Sequence, residues 1–179
     1  TTDAAIEPDA LQAALSVVVP DTFNAVTVDG DTSTNDTVFL LASGAANNAP
    51  ITRDTPDYYA FKAALAAVCD SLARQIAWDG EGATKLVMVD VRGTVTNQDA
   101  KTVARTIAES PLTKTALFGN DPNWGRILAA AGRAGVSFDS ARAELRIGDV
   151  TLLQDGAPAD FSREAARAAI AGEDVEILV

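Results

Sequence analysis

Apolar residues recur along this chain with two periods, and the changes of period divide it into elements. Leu11, Leu15 and Val18 fall at helical spacing behind Pro8, a residue favoured in a first helical turn, and Pro20 ends or kinks the predicted helix. The longest periodic face is Phe61, Leu65, Val68, Leu72 and Ile76. Thr55 or Asp54 is placed to cap that helix, Pro56 suits its first turn, and Asp79-Gly80 closes it. Asn97 is placed to cap a helix through Ala100, Val103, Ala104 and Ile107, stopped before Pro111. Residues 124–134 read as a further helix, and Ser162 opens an Ala-rich last one that ends at Gly172.

Strand signals lie between these helices. Val38-Phe39-Leu40-Leu41-Ala42 is a continuous apolar run and reads as a buried strand, with residues 43–53 as the loop after it. Leu86 to Val91 is the clearest strand, Thr1 to Ile6 and Ala116-Leu117-Phe118 are short ones, and Val175 to Val179 is the last. Leu145-Arg146-Ile147 and Val150 to Leu153 flank Gly148-Asp149, a two-residue hairpin signal. The class is therefore α+β, without a solenoid repeat. A domain boundary is expected near Arg92-Gly93. The sequence stops within a predicted strand, so the native C-terminus is expected to extend further.

Composition narrows the chemistry. The net charge of −11 disfavours nucleic acid, whose phosphates need a surplus of Lys and Arg. No apolar run approaches the roughly 20 residues of a membrane helix, and no signal peptide is read, so the expected location is cytoplasmic. Cys69 is the sole cysteine, and its place beside the long apolar helix face predicts packing rather than reactivity. The absence of histidine excludes Ser-His-Asp and Cys-His machinery within this chain and makes a zinc site improbable.

One residue offers another route. Thr1 heads the sequence where Met would normally stand, and the single Met is Met88. Either the chain was trimmed here or a longer precursor was cut before Thr1. A terminal Thr carries hydroxyl and amine on one residue, and an α-amino group titrates near pH ~8. Such a residue can act as nucleophile without histidine.

Three polar stretches hold further candidates. Asp29 to Thr37 is dense in short hydroxyl, amide and carboxylate groups, which either stabilise a surface turn or line a polar pocket. In Gly80-Glu81-Gly82-Ala83-Thr84-Lys85 two glycines present the Glu81 carboxylate, either to a substrate ammonium or to solvent. Asn120 to Arg126 precedes an apolar helix whose start either binds an anion or is capped in the ordinary way, with Trp124 packing in the core.

Taken in order with Thr1-Thr2-Asp3-Ala4, these stretches resemble the β chain of the ornithine acetyltransferase (glutamate N-acetyltransferase) family over nearly the whole sequence. The resemblance implies a layered α/β sandwich of the ornithine acetyltransferase/N-terminal-nucleophile aminopeptidase type, with a smaller C-terminal α+β domain. Residues 1–92 would form part of the catalytic domain, completed by an α chain, and 93–179 the C-terminal domain, truncated at its end. It implies a precursor that cuts itself to expose Thr1 as nucleophile, and a substrate-binding role for Thr1 and Glu81. The acetyl group of N-acetylornithine would pass through an acetyl-enzyme to glutamate, in arginine biosynthesis or a related pathway, with no cofactor and no metal. The oxyanion donors would come from the α chain, in an α2β2 heterotetramer. The family's Asn and terminal Ser or Thr at the extreme C-terminus have no counterpart before Val179. Two other readings remain open: an N-terminal-nucleophile amidase or aminopeptidase, and a non-catalytic globular subunit.

Overall fold

A computed structural model describes residues 1–179 and divides them into two compact units: Thr1–Val26 with Asp31–Ala77, and Thr27–Gly30 with Trp78–Val179. The division falls earlier than the boundary expected at Arg92-Gly93. The cause is the strand Leu86–Asp90 (β1), which pairs in parallel with Asp174–Leu178 (β5) and so belongs to the second unit.

The first unit has two helices, Pro8–Val18 (α1) and Pro56–Trp78 (α2). Both begin with the proline that the sequence offers at a first helical position. Thr55 Oγ1 accepts from the Tyr58 amide at 3.3 Å at the start of α2. The buried face of α1 is Ala10, Ala14 and Val18, while Leu11 and Leu15 are only half-buried. Ala10 and Ala14 pack with Tyr58, and Ile6, Ile51, Phe61 and Leu65 lie around them.

Three expectations fail in this unit. Residues 38–42 are not a buried strand: Phe39 is 79% and Leu41 59% exposed. The face predicted on α2 is covered only in its first half. Phe61 and Leu65 are half-buried, but Val68, Leu72 and Ile76 are exposed. The buried residues of α2 are Tyr58, Cys69 and Ala73. The segment Thr1 to Ile6 forms isolated parallel bridges, Thr2 with Ala42 and Ile6 with Ile51, rather than a full strand.

The second unit carries a five-stranded mixed sheet in the order β1-β5-β2-β3-β4, where β2 is Leu145–Ile147, β3 Val150–Gln154 and β4 Ala157–Pro158. The predicted hairpin is present. Ile147 faces Val150 across Gly148-Asp149, and Gly148 takes the positive φ of 52° that such a turn requires. Helices Asn97–Ala108 (α3), Pro111–Phe118 (α4), Trp124–Gly132 (α5) and Arg163–Ala171 (α6) complete the unit. Thr96, rather than Asn97, caps α3 by accepting from the Asp99 amide at 3.1 Å.

Residues 116–118 are the end of α4 and not a strand. Pro111 stops α3 but also stands at the first position of α4, behind the Ser110 cap, so one residue serves as stop and start. The core of this unit holds Val103, Ile107, Ile127, Leu145, Ile147, Leu152, Leu153, Ile170, Val175 and Ile177. Each such burial is worth about 1.5–3 kcal/mol, which makes the sheet and its helices the well-supported part of the chain.

Candidate active site

The first five residues are held by backbone ladder bonds to a segment about forty residues away. Thr2 N–H donates to the Leu41 carbonyl at 2.8 Å, and Ser43 N–H donates to the Thr2 carbonyl at 3.0 Å. Asp3 and Ala4 accept from the amides of Ala46 and Gly44. Asn48 adds a side-chain clamp on Ala5: its Oδ1 accepts from the Ala5 amide at 2.8 Å, and its Nδ2 donates to the Ala5 carbonyl at 3.0 Å. The terminal segment is thus fixed although no regular strand forms.

Beside it lies an open notch of ≈ 550 Å³, lined by Thr1, Thr2, Asp3, Leu41, Ala42 and Ser43. Thr1 is exposed and lines the notch. The side chain of Thr2 is turned to its own backbone, where Oγ1 accepts from the Ala4 amide at 3.2 Å. No group of three or more His, Cys, Asp and Glu side chains is arranged to hold a metal ion.

The other candidates are carried elsewhere. Glu81 belongs to the second unit, exposed on the turn between α2 and β1, which is closed by the Ala83 amide donating to the Gly80 carbonyl at 2.9 Å. Gly82 follows with φ +70°, and the carboxylate projects into solvent. Lys85 of the same stretch is bound structurally: its Nζ donates to the carbonyls of Ile170 at 2.5 Å and Gly172 at 3.1 Å.

The run Asp29 to Thr37 is exposed throughout. Ser33 Oγ accepts from the amides of Asn35 and Asp36, and Thr37 Oγ1 donates to the Asn35 carbonyl. This is a turn stabilised by its own side chains.

In the stretch Asn120 to Arg126, Asn123 Oδ1 accepts from the Arg126 amide at 3.2 Å and so caps α5, and its Nδ2 donates to Asp121 Oδ2 at 3.1 Å. Arg126 donates to Thr115 Oγ1 and the Leu112 carbonyl, tying α5 to α4. Trp124 packs against the core. These residues cap α5 and join it to α4.

Sequence reasoning missed Leu41, Ala42 and Ser43 as neighbours of Thr1. Only the pairing of Thr2 with residues 41–43 brings them there, and no local pattern encodes that register.

Comparison with known proteins now adds to this geometry. The model of the ArgJ family matches residues 1–179. The arginine biosynthesis bifunctional protein ArgJ of Synechococcus sp. is 53% identical over 166 residues, covering 93% of this chain and 40% of that protein. The protein of the same name from Bacillus subtilis is 44% identical over 179 residues, covering 100% of this chain and 44% of its own length. A crystal structure of arginine biosynthesis bifunctional protein ArgJ from Bacillus halodurans superposes with a TM-score of 0.95 at 46% identity, covering 99% of this chain and 84% of that one. The chain therefore spans less than half the length of these curated relatives.

Proposed function

The chain belongs to the ArgJ family, and from that premise we propose that it carries the nucleophile of an acetyltransferase that moves the acetyl group of N-acetylornithine to glutamate. The observation that carries the proposal is Thr1: an exposed threonine lining a notch, in a chain without histidine, at the position where the resemblance implies a precursor is cut to free the amine. The relatives' name, arginine biosynthesis bifunctional protein, supports the pathway, and the resemblance to ornithine acetyltransferases supports the reaction.

The chemistry runs in two halves. The Thr1 amine, directly or through one water, takes the hydroxyl proton as Oγ attacks the acetyl carbonyl of N-acetylornithine. The tetrahedral intermediate collapses, the carbon–nitrogen bond breaks, and the proton leaves on the amine of ornithine. Glutamate's amine then attacks acetyl-Thr1, the ester bond breaks, and Oγ recovers a proton. Transfer between two amines is nearly thermoneutral, so an energy-rich donor is not required. Glu81 is assigned to the ammonium group of the substrate.

The tetrahedral oxygen needs hydrogen-bond donors, and a second polypeptide of the same protein, the α chain of a self-cleaved precursor, is assigned to supply them. The lengths support two polypeptides. The B. halodurans chain is 84% covered by a sequence that covers only 40–44% of the Synechococcus and B. subtilis proteins, so the crystallised chain is itself far shorter than they are. The assembly is assigned as α2β2 and the location as cytoplasmic; no helix is long and apolar enough to cross a membrane.

Product analysis tests the reaction. Full-length protein given N-acetylornithine and glutamate is expected to yield ornithine and N-acetylglutamate in equal amounts. Free acetate with no N-acetylglutamate would instead favour the amidase reading. Replacing Thr1 by Ala in the precursor should abolish turnover, and full activity in that variant would leave only the non-catalytic reading of this residue.

A further inference from the structure

The terminal segment and its partner do not match in length. Thr2 bridges Ala42 and Ile6 bridges Ile51, both in parallel. Four residue steps on one side therefore face nine on the other, and the surplus leaves as a loop between the bridges. That loop turns through the positive φ of Gly44 (73°) and Asn47 (53°). A regular parallel strand would offer evenly spaced peptide groups along the segment. Here the Ala5 amide has no backbone acceptor, and the side chain of Asn48 takes that place. A carboxamide carries the donor and the acceptor of a peptide group. Oδ1 accepts from the Ala5 amide at 2.8 Å, and Nδ2 donates to the Ala5 carbonyl at 3.0 Å. Nδ2 also donates to the Ala49 carbonyl at 2.7 Å, which holds the carboxamide to its own loop.

We propose that Asn48 is a positioning residue for the acetyl transfer: it stands in for a missing strand residue at Ala5 and so sets where Thr1 lies against Leu41, Ala42 and Ser43. This rests on the reading of Thr1 as the nucleophile. Thr1, Thr2 and Asp3 line the notch, and Ala5 follows two residues later, so slack at Ala5 passes directly into the lining. Misplacing a reacting atom by about 1 Å costs on the order of 100-fold in rate. Asn48 is exposed, and water competes for both backbone groups that it binds, so the clamp adds little to the stability of the fold. Its effect falls on the rate.

The test compares Asn48→Ala with the unaltered full-length protein, with rates counted per folded, cleaved molecule. The kcat is expected to fall at least about tenfold, while KM for N-acetylornithine and for glutamate stays within about twofold. A residue that merely supported the fold would lower the amount of folded protein and leave kcat per folded molecule unchanged. A kcat within about twofold of the unaltered value overturns the proposal. So does a rise in KM that carries the whole loss.

Amide exchange reads the clamp independently of the chemistry. Ser43 and Gly44 donate to the Thr2 and Ala4 carbonyls, and in Asn48→Ala their amides and that of Ala5 are expected to exchange at least about tenfold faster. Unchanged exchange at all three overturns the proposal. Thr1→Ala, measured alongside, separates the clamp from the reading on which it rests. Turnover that survives Thr1→Ala yet falls in Asn48→Ala counts against the nucleophile alone. Turnover lost in Thr1→Ala yet kept in Asn48→Ala counts against the clamp alone.

Discussion

Lys85 and Glu81 stand four residues apart in one motif, and the structure ties Lys85 to a helix end while it leaves Glu81 exposed. Lys85 Nζ reaches the Ile170 and Gly172 carbonyls, at the end of a helix that has no basic residue in its own last turn. Removing that ammonium by Lys85→Met leaves two terminal carbonyls without their donor. Hydrogen bonds to a charged group contribute about 1.5–3 kcal/mol. The favourable placement of a cation at a helix C-terminus adds about 0.3–1 kcal/mol. Lys85 is half-buried, so solvent screening pulls the total to about 2 kcal/mol.

The assay is urea unfolding followed by the fluorescence of Trp124, which packs on the core of the same unit. With a slope of about 2 kcal/mol/M, the midpoint should fall by about 1 M. Turnover per folded molecule should stay within about twofold, because the contacts of Lys85 are structural. Glu81→Gln should do the reverse, leaving the midpoint within about 0.2 M and raising KM or lowering kcat at least about tenfold. An unchanged midpoint in Lys85→Met, or a collapse of its turnover without loss of stability, would refute this division of labour.

Three further outcomes are expected. Gly156→Ala should be severely destabilising, by about 2–5 kcal/mol in the same assay, because a Cβ would sit 2.3 Å from the Ser140 carbonyl oxygen at a φ of +69°. Asn123→Ala should cost about 1 kcal/mol through loss of the α5 cap, and leave KM for both substrates unchanged. Burial pushes the Cys69 thiol above its ordinary value of 9.0, so it should resist alkylation at pH 8 in the native protein and react once urea unfolds the chain. Because the folded value is the higher one, the folded state holds the proton longer. The Cys69 contribution to stability is therefore intact below the unfolded pKa and declines as pH rises through the folded one, a decline that Cys69→Ala should remove.

Much of the fold was legible because local chemistry and tertiary need coincide. Pro8, Pro56 and Ser162 mark helix starts that form, and Gly148-Asp149 marks the hairpin that forms. Where one residue served two purposes, reading failed: Pro111 ended one helix and began another, so 116–118 was taken for a strand. On α1 the large Leu11 and Leu15 drew attention, but close packing against α2 selects the small face of Ala10 and Ala14.

The exposed run at 38–42 is a different case. A continuous apolar run announces burial, yet Val38, Phe39 and Leu41 are exposed in this structure. At the notch, Thr1 was singled out by residue type and setting. Leu41, Ala42 and Ser43 were not, because their place beside Thr1 comes from a register between distant segments.

The central claim is that Thr1 carries the acetyl group, and intact and peptide mass spectrometry reads it directly. Full-length protein is mixed with N-acetylornithine in the absence of glutamate, quenched in acid, and digested. The account predicts a gain of about 42 Da, as expected of a covalent acetyl intermediate, on the peptide that begins at Thr1, cleared when glutamate is added. A protein that turns over N-acetylornithine with no adduct, or with the adduct on any other residue, would contradict it.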